Sequence, residues 1–345
     1  MKAFKLLVLT NHKTHSSSNS IYALLTALAR HEACGQIDVA SSGITANKLF
    51  FNCHLETRLL AATVKDDFVY SDSGKAYLNR AHWVNLSEYD FIFLRLPPPA
   101  NEAFFNFLTT VFPSQRIVNN PKGIIETGNK KYLLKHSKLC PPMKFCQDID
   151  QVENFARLFP IVLKPLNGYG GAGLIKIDGQ RVWMGNTLIS FKEFAEKFQQ
   201  KGQPILAMKY LKNVSQGDKR VIVCRDTIVG ASLRKPPKGN WLCNTAQGGI
   251  STRTIITKEE RAIAASLSKA LMQKGIFMFG FDTLTDDEGK RVLSEINTQS
   301  IGGLKQINEQ GGPNILQLIT ELFWKHLNKI VDAEHIAGRP ESRSY

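Results

Sequence analysis

The chain has 345 residues, 43% of them hydrophobic, which supplies ample material for a core and predicts two or three domains. No uninterrupted apolar run approaches the roughly 20 residues of a membrane helix. The opening residues, MKAFKLLVLTNHKTHS, are typical of a short buried strand and a polar loop rather than of a signal peptide. We therefore expect a cytoplasmic protein with no membrane among its partners.

The chain is basic, because 44 Lys and Arg stand against 30 Asp and Glu and give a formal net charge of +14. Such an excess suits nucleic acid, an acidic surface or anionic small substrates as partners. The charges are dispersed, with no block of five or more like charges and no basic stripe interleaved with aromatic residues. This pattern favours a solvated surface over a nucleic-acid footprint. A phosphate-handling site would explain part of the excess in either case.

The six cysteines form neither a CxxC motif nor a zinc-binding spacing. We interpret them as reduced, mostly structural thiols of a cytosolic protein. They are Cys34, Cys53, Cys140, Cys146, Cys224 and Cys243.

Residues 1–121 predict one open α/β domain. An apolar run at Phe4–Leu9 is typical of a buried strand, and Ser18 is placed to cap the amphipathic helix that follows. Two more strands are predicted, Asp90–Leu96 before a PPP stop and Arg116–Val118. A strand, a polar loop and a helix in this order are typical of the start of an open α/β sheet.

Residues 122–206 predict a smaller α+β unit. It opens with a basic helical stretch, GNKKYLLKH. The elements predicted after it are strands at Ile161–Leu166, Leu174–Ile177 and Ile205–Leu211, and a helix at Phe191–Gln200.

Residues 207–331 predict a domain with a mixed sheet. KRVIVCRDTIVGASLRK alternates and turns near Arg225–Asp226, which indicates a hairpin. A capping box, Thr257–Glu260, precedes a helix. FMFGFDTL and RVLSEIN are predicted strands joined by the TDDEG turn. An amphipathic helix at Asn314–Val331 is followed by a polar, frayed tail over 332–345.

Four glycines crowd the segment VLKPLNGYGGAGLIKI, between two apolar runs. Gly168, Gly170 and Gly173 fit the G-x-G-x-x-G pattern, but a dinucleotide-binding fingerprint needs a helix directly after its glycines. LIKIDG predicts a strand and a turn instead. A strand–loop–strand hairpin places backbone N–H groups over nucleotide phosphates, with Lys164 within reach of a phosphate. A sharp hairpin turn without a ligand is the open alternative at this point.

Oxygen-bearing side chains fall on the two strands FMFGFDTL and RVLSEIN. Glu295 and Asn297 are two residues apart, so they point to the same face of their strand. Asp282 lies across from them if the two strands form a short antiparallel pair. Two carboxylates and an amide oxygen suit Mg²⁺, which binds substrate phosphates. The alternative is an exposed polar strand end, but acidic residues inside apolar runs favour the metal.

Together these motifs resemble the ATP-grasp superfamily, and most closely the prokaryotic glutathione synthetases. VLKPLNGYGGAG is similar to that family's LKP-x-x-G-x-GG phosphate loop, GDKRVIV to its G-D-x-R-V segment, and GFDTL and SEINTQS to its metal-binding strands. FLRLPPPANEAFF and IVNNPKGIIETGNKKYLLK are more weakly similar, so the resemblance covers about residues 90–320. It implies an ATP-grasp fold, with a substrate-side α/β domain over 1–121, a lid subdomain over 122–206 and a metal-holding subdomain over 207–331.

The resemblance also implies roles for individual residues. Contacts with ATP would come from Lys131 and Lys164 at the phosphates, Gly168, Gly170 and Gly171 in the loop above them, Met208, Lys209, Tyr210 and Leu211 against the adenine, and Asp218 nearby. Lys130 is the alternative to Lys131. The substrate carboxylate and the acyl phosphate would meet Arg220 and Arg234, with Asn244 close by. Mg²⁺, with Mn²⁺ as an alternative, would be held by Asp282, Glu295 and Asn297.

The activity implied by the resemblance is an ATP-dependent ligation of a carboxylate and an amine through an acyl phosphate. In this family γ-glutamylcysteine and glycine are joined to glutathione, with release of ADP and phosphate. KGNWLCNTAQGGIST, rich in glycine and small polar residues, is the candidate loop that closes over the reacting groups. The expected partners are small acid and amine substrates, and apolar segments in the first domain allow a homo-oligomer.

Two departures from the family pattern fall where acyl and acceptor substrates would sit. Where the family usually reads S-P-T, this chain has SIGG at 300–303, and Leu242 stands where the family carries an arginine. A ligase for another peptide or amino-acid substrate therefore stays open, as does a non-catalytic module that binds ATP for regulation. Intact metal ligands argue against the module. The hypothesis of a nucleic-acid-binding protein is supported by net charge alone. The hypothesis of an NAD-dependent enzyme is disfavoured because a strand, not a helix, is predicted after the glycines.

Overall fold

The computed structural model describes residues 3–55, 58–237, 241–243 and 250–337. In these ranges the strands form three sheets, two of six strands and one of five. No helix in the same ranges is long and apolar enough to cross a membrane. The chain therefore combines helices with three sheets, as the sequence predicts.

The first sheet is built from the start of the chain. Its elements are β1 (Phe4–Thr10), α1 (Ile21–Ala29), β2 (Cys34–Ser41), α2 (Lys48–Phe51), β3 (Arg58–Thr63), α3 (Lys75–Leu78), β4 (Ala81–Asn85), β5 (Phe91–Arg95), α4 (Glu102–Val111) and β6 (Ile117–Val118). In the order β4-β3-β2-β1-β5-β6, the strands β2, β1, β5 and β6 are parallel, and β3 and β4 add an antiparallel edge. The central strand β1 is almost continuously apolar because helices cover both faces of such a sheet.

The first helix begins later than the sequence predicts. Ser20, not Ser18, occupies the N-cap position of α1. The hydroxyl of Ser18 is 2.8 Å from that of Ser16, so it is engaged within the loop. The Asn19 side chain accepts a hydrogen bond from the backbone N–H of Ile21 at 3.0 Å and supplies the missing acceptor at the helix start.

The second sheet is antiparallel throughout. The chain enters it through α5 (Pro121–Thr127) and a 3₁₀ helix (Lys130–Leu139), and continues with β7 (Met143–Cys146), α6 (Ile149–Ala156), β8 (Ile161–Pro165), β9 (Ile175–Asp178), β10 (Arg181–Met184), β11 (Thr187–Ser190), α7 (Phe191–Lys201) and β12 (Ile205–Lys209). The strand order is β11-β10-β9-β8-β12-β7. Val152, Ile177 and Phe194 belong to the apolar cluster that α6 and α7 form with the sheet.

The third sheet follows in the chain. Its elements are β13 (Asp218–Cys224), β14 (Thr227–Lys235), β15 (Ile250–Arg253), α8 (Lys258–Met272), β16 (Met278–Thr285) and β17 (Arg291–Asn297), in the strand order β15-β14-β13-β16-β17. The predicted hairpin turns at Arg225, whose φ is +58°. The capping box at Thr257 and Glu260 is confirmed, with the Glu260 N–H donating to Thr257 Oγ1 at 3.3 Å.

The chain divides into two compact units that do not follow chain order. The first comprises Met1–Ile124, Leu271–Met278 and Gln299–Tyr345, and the second comprises Ile125–Ala270 and Phe279–Thr298. The last two helices, α9 (Leu304–Glu309) and α10 (Ile315–Ala337), thus belong to the first unit rather than to a contiguous domain over 207–331. Trp324 of α10 donates from Nε1 to the carbonyl oxygen of Leu28 at 3.2 Å, which anchors the helix there. α10 also continues six residues beyond the predicted end at 331.

Candidate functional site

The glycine-rich segment forms a loop between two paired strands. β8 and β9 are antiparallel, with Val162 opposite Lys176, and no helix intervenes between residues 161 and 178. Gly170 and Gly171 take φ values of +63° and +80°, in the left-handed region that glycine adopts without steric cost. The predicted strand–loop–strand hairpin is confirmed, and the helix that a dinucleotide fingerprint requires is replaced by a strand.

Lys164 lies on β8, directly before this loop. Its side chain is buried, and Nζ donates a hydrogen bond to the carbonyl oxygen of Ser294 at 2.8 Å. Burial lowers the pKa of Lys164 from its ordinary value, while the carboxylate of Glu295 opposes the shift. An anionic ligand beside this ammonium group would favour its charged form, because an opposite charge offsets the loss of hydration.

Of two adjacent lysines, Lys130 is the one that lies at the loop. Its buried Nζ donates to the carbonyl oxygen of Gly168 and lies 3.5 Å from Glu295 Oε1. Lys131, the residue singled out from the sequence, is exposed, and its Nζ is 4.5 Å from the centre of the Phe145 ring. Consecutive residues of a 3₁₀ helix point about 120° apart, so only one of the two can face the loop. The geometry therefore favours Lys130, the alternative that the sequence left open, as the lysine beside the loop.

A pocket in the second unit brings the predicted nucleotide-binding segments together. Its apolar lining includes Val162, Leu174 and Leu284, from three different strands or loops. Its other lining residues include the predicted set Lys164, Met208, Lys209, Tyr210, Leu211, Asp218 and Glu295. Apolar walls with a few convergent polar groups suit a flat heteroaromatic ring that carries a charged tail.

One aromatic residue of this pocket, Trp241, was not assigned to nucleotide binding from the sequence, whereas Tyr210 was. Trp241 and Tyr210 both line it, with ring centroids 6.2 Å apart in an edge-to-face arrangement. Nζ of Lys176 lies 3.9 Å from the centre of the Tyr210 ring, within the range of a cation–π interaction. These side chains come from separate segments, so no local spacing in the sequence could have grouped them.

The G-D-x-R segment places Asp218 against Arg234. The two are register partners on β13 and β14, and Arg234 donates from Nε and Nη2 to the Asp218 carboxylate at 2.8 and 2.6 Å. Gly217 precedes them with φ +94°, and a Cβ there would lie 2.6 Å from the carbonyl oxygen of Arg234. The segment needs its glycine because any side chain would push the two strands apart.

Asp282 of β16 is held by both predicted catalytic arginines. Arg220 donates from Nε to Oδ1 at 2.8 Å and from Nη2 to Oδ2 at 2.7 Å, and Arg234 Nη2 lies 2.9 Å from Oδ2. Asp282 is only 1% exposed. Burial alone would raise the pKa of Asp282, but the two guanidinium groups outweigh burial and hold that pKa below its ordinary value. The two arginines thus hold Asp282 in its ionised form, the form in which a carboxylate binds a metal ion.

The other two predicted metal ligands lie on the neighbouring strand. Asp282 is opposite Glu295 in the antiparallel pair of β16 and β17, as the sequence predicts. Nδ2 of Asn297 is buried and has no hydrogen-bond partner in the described part of the chain. Rotating this amide by half a turn presents its oxygen at the same place.

This donor set fits Mg²⁺, which takes oxygen ligands and keeps some of its water. No cluster of three or more His, Cys, Asp or Glu residues that could hold a metal occurs in residues 3–55, 58–237, 241–243 and 250–337. A site with three ligands on these two strands would therefore need the Asn297 amide beside the two carboxylates.

Part of the predicted site lies outside the described residues. This applies to Asn244 and to most of the predicted closing loop, of which the structure describes 241–243 and 250–252. Leu242 is 9% exposed and lines the pocket. The departure from the family pattern at this position therefore puts an apolar side chain beside the proposed nucleotide.

The second departure, at residues 300–303, lies in the first unit beside Arg95. Arg95 ends β5, is buried, and donates from Nη2 to the carbonyl oxygen of Ile301 at 3.0 Å. Its Nε has no partner in the described residues, and burial lowers the pKa of Arg95 to about 10. A buried guanidinium with an unused donor and no carboxylate partner in the described chain is a candidate anion site. The signal in the sequence is a charged residue at the end of the apolar run FIFLR.

Residues 129–312 match the sequence profile of a family described as prokaryotic glutathione synthetase, ATP-grasp domain. The chain belongs to this family. A glutathione synthetase of Brucella melitensis is 32% identical over 248 residues, which span 70% of this chain and 73% of the relative. A glutathione synthetase of Rhodopseudomonas palustris is 29% identical over 244 residues, spanning 70% and 74% of the two chains.

Solved structures support the ATP-grasp fold over the whole chain. A D-cycloserine synthetase superposes with a TM-score of 0.65 at 13% identity, covering 94% of this chain and 99% of that one. The D-alanyl-alanine synthetase A of Vibrio cholerae gives 0.59 at 14% identity, covering 96% and 99%. The predicted fold is thereby confirmed. As a member of the glutathione synthetase family, the protein is an ATP-grasp ligase that forms a C–N bond.

Proposed function

We propose that this ligase joins γ-glutamylcysteine and glycine to glutathione and converts ATP to ADP and phosphate. The observation that carries the proposal is a pocket in which residues 208–211, called the hinge, meet Lys164 and Glu295. The relatives of the chain include glutathione synthetases. We further propose that the reaction takes place in the cytoplasm, with a small acid and a small amine as the partners.

The nucleotide would lie between the hinge and the glycine loop. The adenine suits the apolar side chains of Val162 and Leu284 and the hinge residue Met208. The phosphates would then lie under the loop, where Lys130 and Lys164 supply two buried cations. Backbone N–H groups of a glycine-rich loop can approach phosphate closely because there are no side chains in between.

Asp282, Glu295 and Asn297 would hold Mg²⁺, or Mn²⁺ in its place. When bound, the metal neutralises negative charge on the phosphoryl group that is transferred. Both carboxylates are at present paired with cations of the protein, Glu295 with Lys130 and Asp282 with two arginines. If the two carboxylates bound a metal ion instead, Lys130 and the two arginines would become available to bind anionic ligands.

The chemistry has to activate a carboxylate, which is a poor electrophile in water. Its oxygen attacks the γ-phosphorus of ATP and ADP leaves, which forms an acyl phosphate. The amine nitrogen then attacks the acyl carbon, inorganic phosphate leaves, and the nitrogen loses a proton. Arg220 and Arg234 suit the acyl phosphate and the tetrahedral intermediate, because their planar forks match oxygen anions.

Within the first unit, Arg95 is buried with an unused Nε donor, and a small anion would supply the missing negative charge there. The closing loop that includes residues 241–243 would keep water from the acyl phosphate.

A ligase for a different acid or amine is the second candidate. The Ser300–Gly303 segment favours it, because the segment differs from the family pattern at a place that the resemblance gives to a substrate. The ATP-binding residues are the same in both candidates.

The test is release of phosphate and ADP from Mg-ATP in the presence of γ-glutamylcysteine and glycine. We expect release to need both substrates, to be lost in Glu295→Ala, and to be kept in Glu288→Ala, which removes an exposed carboxylate of the β16–β17 turn. Release with another acid and amine but not with this pair would establish the second candidate. No release with any pair would refute the proposed reaction.

A further inference from the structure

The two strands that carry the proposed metal ligands contain a β-bulge. Asp282 lies opposite Glu295, but the next residue, Thr283, lies opposite Leu293, so Ser294 is an extra residue in the ladder. Bulges beside active sites re-aim side chains that a regular strand would direct elsewhere. This one falls directly beside the pair of proposed carboxylate ligands.

Ser294, the extra residue of the bulge, forms hydrogen bonds with two different strands, β8 and β16. Its carbonyl oxygen accepts a hydrogen bond from Lys164 Nζ at 2.8 Å, and its hydroxyl donates to the carbonyl oxygen of Asp282 at 3.1 Å. One residue thus links the lysine proposed for the phosphates with the strand that carries a proposed metal ligand. The spacing between these two groups depends on where the bulge sits.

Glu260 anchors the other strand of the bulge. It is fully buried, and its Oε1 accepts from the hydroxyl of Thr283 at 2.8 Å. Its Oε2 accepts from Lys219 Nζ and from the backbone N–H of Thr257, both at 2.9 Å. Glu260 is the glutamate of the capping box, so a residue in the first turn of α8 also ties that helix to β13 and β16.

This network lies behind the ion pairs of the site. Lys219 stands between Asp218 and Arg220, and Thr283 follows Asp282. Successive residues of a strand point to opposite faces, so the bonds to Glu260 are on the reverse face of the sheet. A buried carboxylate with partners on both oxygens holds its neighbours in place, since breaking any bond leaves an unsatisfied buried group.

We propose that Glu260, Thr283 and Ser294 are positioning residues for the ligase reaction. The Thr283–Glu260 bond holds the bulge, and Ser294 within the bulge sets the place of Lys164 relative to Asp282. This inference rests on the proposed function, because it takes Asp282 and Glu295 as metal ligands.

The test is the dissociation constant of Mn²⁺ in the presence of ADP, measured by electron paramagnetic resonance without turnover. Thr283→Val removes the hydroxyl at constant shape, and Thr283→Ser keeps it. Thr285→Val is the matched control, since Thr285 is a buried threonine two residues further along the same strand. We expect the constant to rise about tenfold in Thr283→Val and in Ser294→Ala. In Thr283→Ser and Thr285→Val it should change by less than about twofold.

The outcomes separate this inference from the function on which it rests. If Thr283→Val and Thr285→Val bind Mn²⁺ equally well, the positioning role is refuted while the metal site stands. If the unchanged protein does not bind Mn²⁺ with ADP, the metal site is wrong and the inference falls with it. Ser294→Ala leaves the Thr283–Glu260 bond intact and serves as the second variant if Thr283→Val fails to fold. An unchanged dissociation constant of Mn²⁺ in Ser294→Ala would then refute the positioning role.

Discussion

Arg220 and Asp282 form a bidentate ion pair, with Nε 2.8 Å from Oδ1 and Nη2 2.7 Å from Oδ2. Arg234 contacts the same carboxylate at 2.9 Å and also pairs with Asp218. A residue predicted to hold a metal is thus neutralised by two residues predicted to hold the substrate. The pairing keeps a buried carboxylate ionised, which a metal ligand requires, and holds both arginines beside a proposed metal ligand.

The two parallel hydrogen bonds that the Arg220 guanidinium can donate should matter more for activity than its positive charge. We expect Arg220→Met to lower kcat about 100-fold, as loss of a donor to the transition state does. Arg220→Lys should recover little, because one ammonium group cannot make two parallel bonds. Arg220→Met should also lower the free energy of unfolding by about 3 kcal/mol, since a partner of a buried charge is lost. Steady-state kinetics and urea unfolding measure the two effects, and wild-type kcat in Arg220→Lys would refute the argument.

The adjacent lysines provide a matched pair of variants. Lys130→Met should lower kcat/KM for ATP about 100-fold, because it removes a buried cation from the glycine loop and from Glu295. Lys131→Met should leave kcat/KM within about twofold of wild type, since its side chain lies on the surface against Phe145. ATP titrations of both variants under saturating acid and amine decide between them. The reverse order of effects would restore the original assignment of Lys131.

Leu242 should contribute to nucleotide binding through apolar contact. Leu242→Ala should raise KM for ATP about tenfold, because truncating a buried leucine in a ligand pocket loses about 1.5 kcal/mol or more of apolar contact. The value of kcat should change little, since such contact is equal in ground state and transition state. Leu158→Ala, at a position that is 68% exposed, is the control. A fall in kcat with unchanged KM would instead place Leu242 at the reacting groups.

Acid should destabilise the first unit through His15. Its Nε2 is 3.1 Å from Thr10 Oγ1 and its Nδ1 is 3.2 Å from the Tyr22 hydroxyl, and burial, with Arg95 and His12 adding to it, lowers the pKa of His15 to about 4. In the unfolded chain a histidine has a pKa of about 6.5. Between these values the unfolded state binds the additional proton, so stability falls as the pH falls from about 6.5 towards 4.

The measurement is the free energy of unfolding in urea at about pH 7 and about pH 5. In His15→Gln the free energy of unfolding should differ less between these two pH values than in wild type, because the substitution removes the group that titrates. His82→Gln, at an exposed position, should keep the whole difference. Equal pH dependence in wild type and His15→Gln would show that other groups cause the loss.

Much of the fold was predictable because it follows from patterns within a single element. The apolar run at Phe4–Leu9, the glycine loop after Lys164 and the capping box at Glu260 each depend on residues a few positions apart. Their periods of two and of three to four residues are set by backbone geometry. The alternation in β17 likewise predicted that Glu295 and Asn297 share a face, and the register of β16 and β17 put Asp282 opposite Glu295.

The sequence did not settle choices between chemically similar neighbours. Lys130 and Lys131 are chemically the same, and only the direction of one turn of 3₁₀ helix selects between them. The predicted N-cap at Ser18 was wrong because its hydroxyl is engaged by Ser16 and Asn19 serves the helix instead. The place of Lys130 depends on contacts that are distant in sequence, with Gly168 and Glu295, whereas the helix cap depends on side-chain bonds within the loop.

The sequence by itself therefore determined the α/β class, the order of the motifs and, through them, the family. Only the tertiary structure decided that Trp241 joins the pocket, that Arg220 and Arg234 converge on Asp282, and that α10 completes the first unit. It also decided that Glu260 reaches Thr283 behind the site. The physical reason is that local spacing sets which way a side chain points, whereas its partner is set by strand register and packing between distant segments.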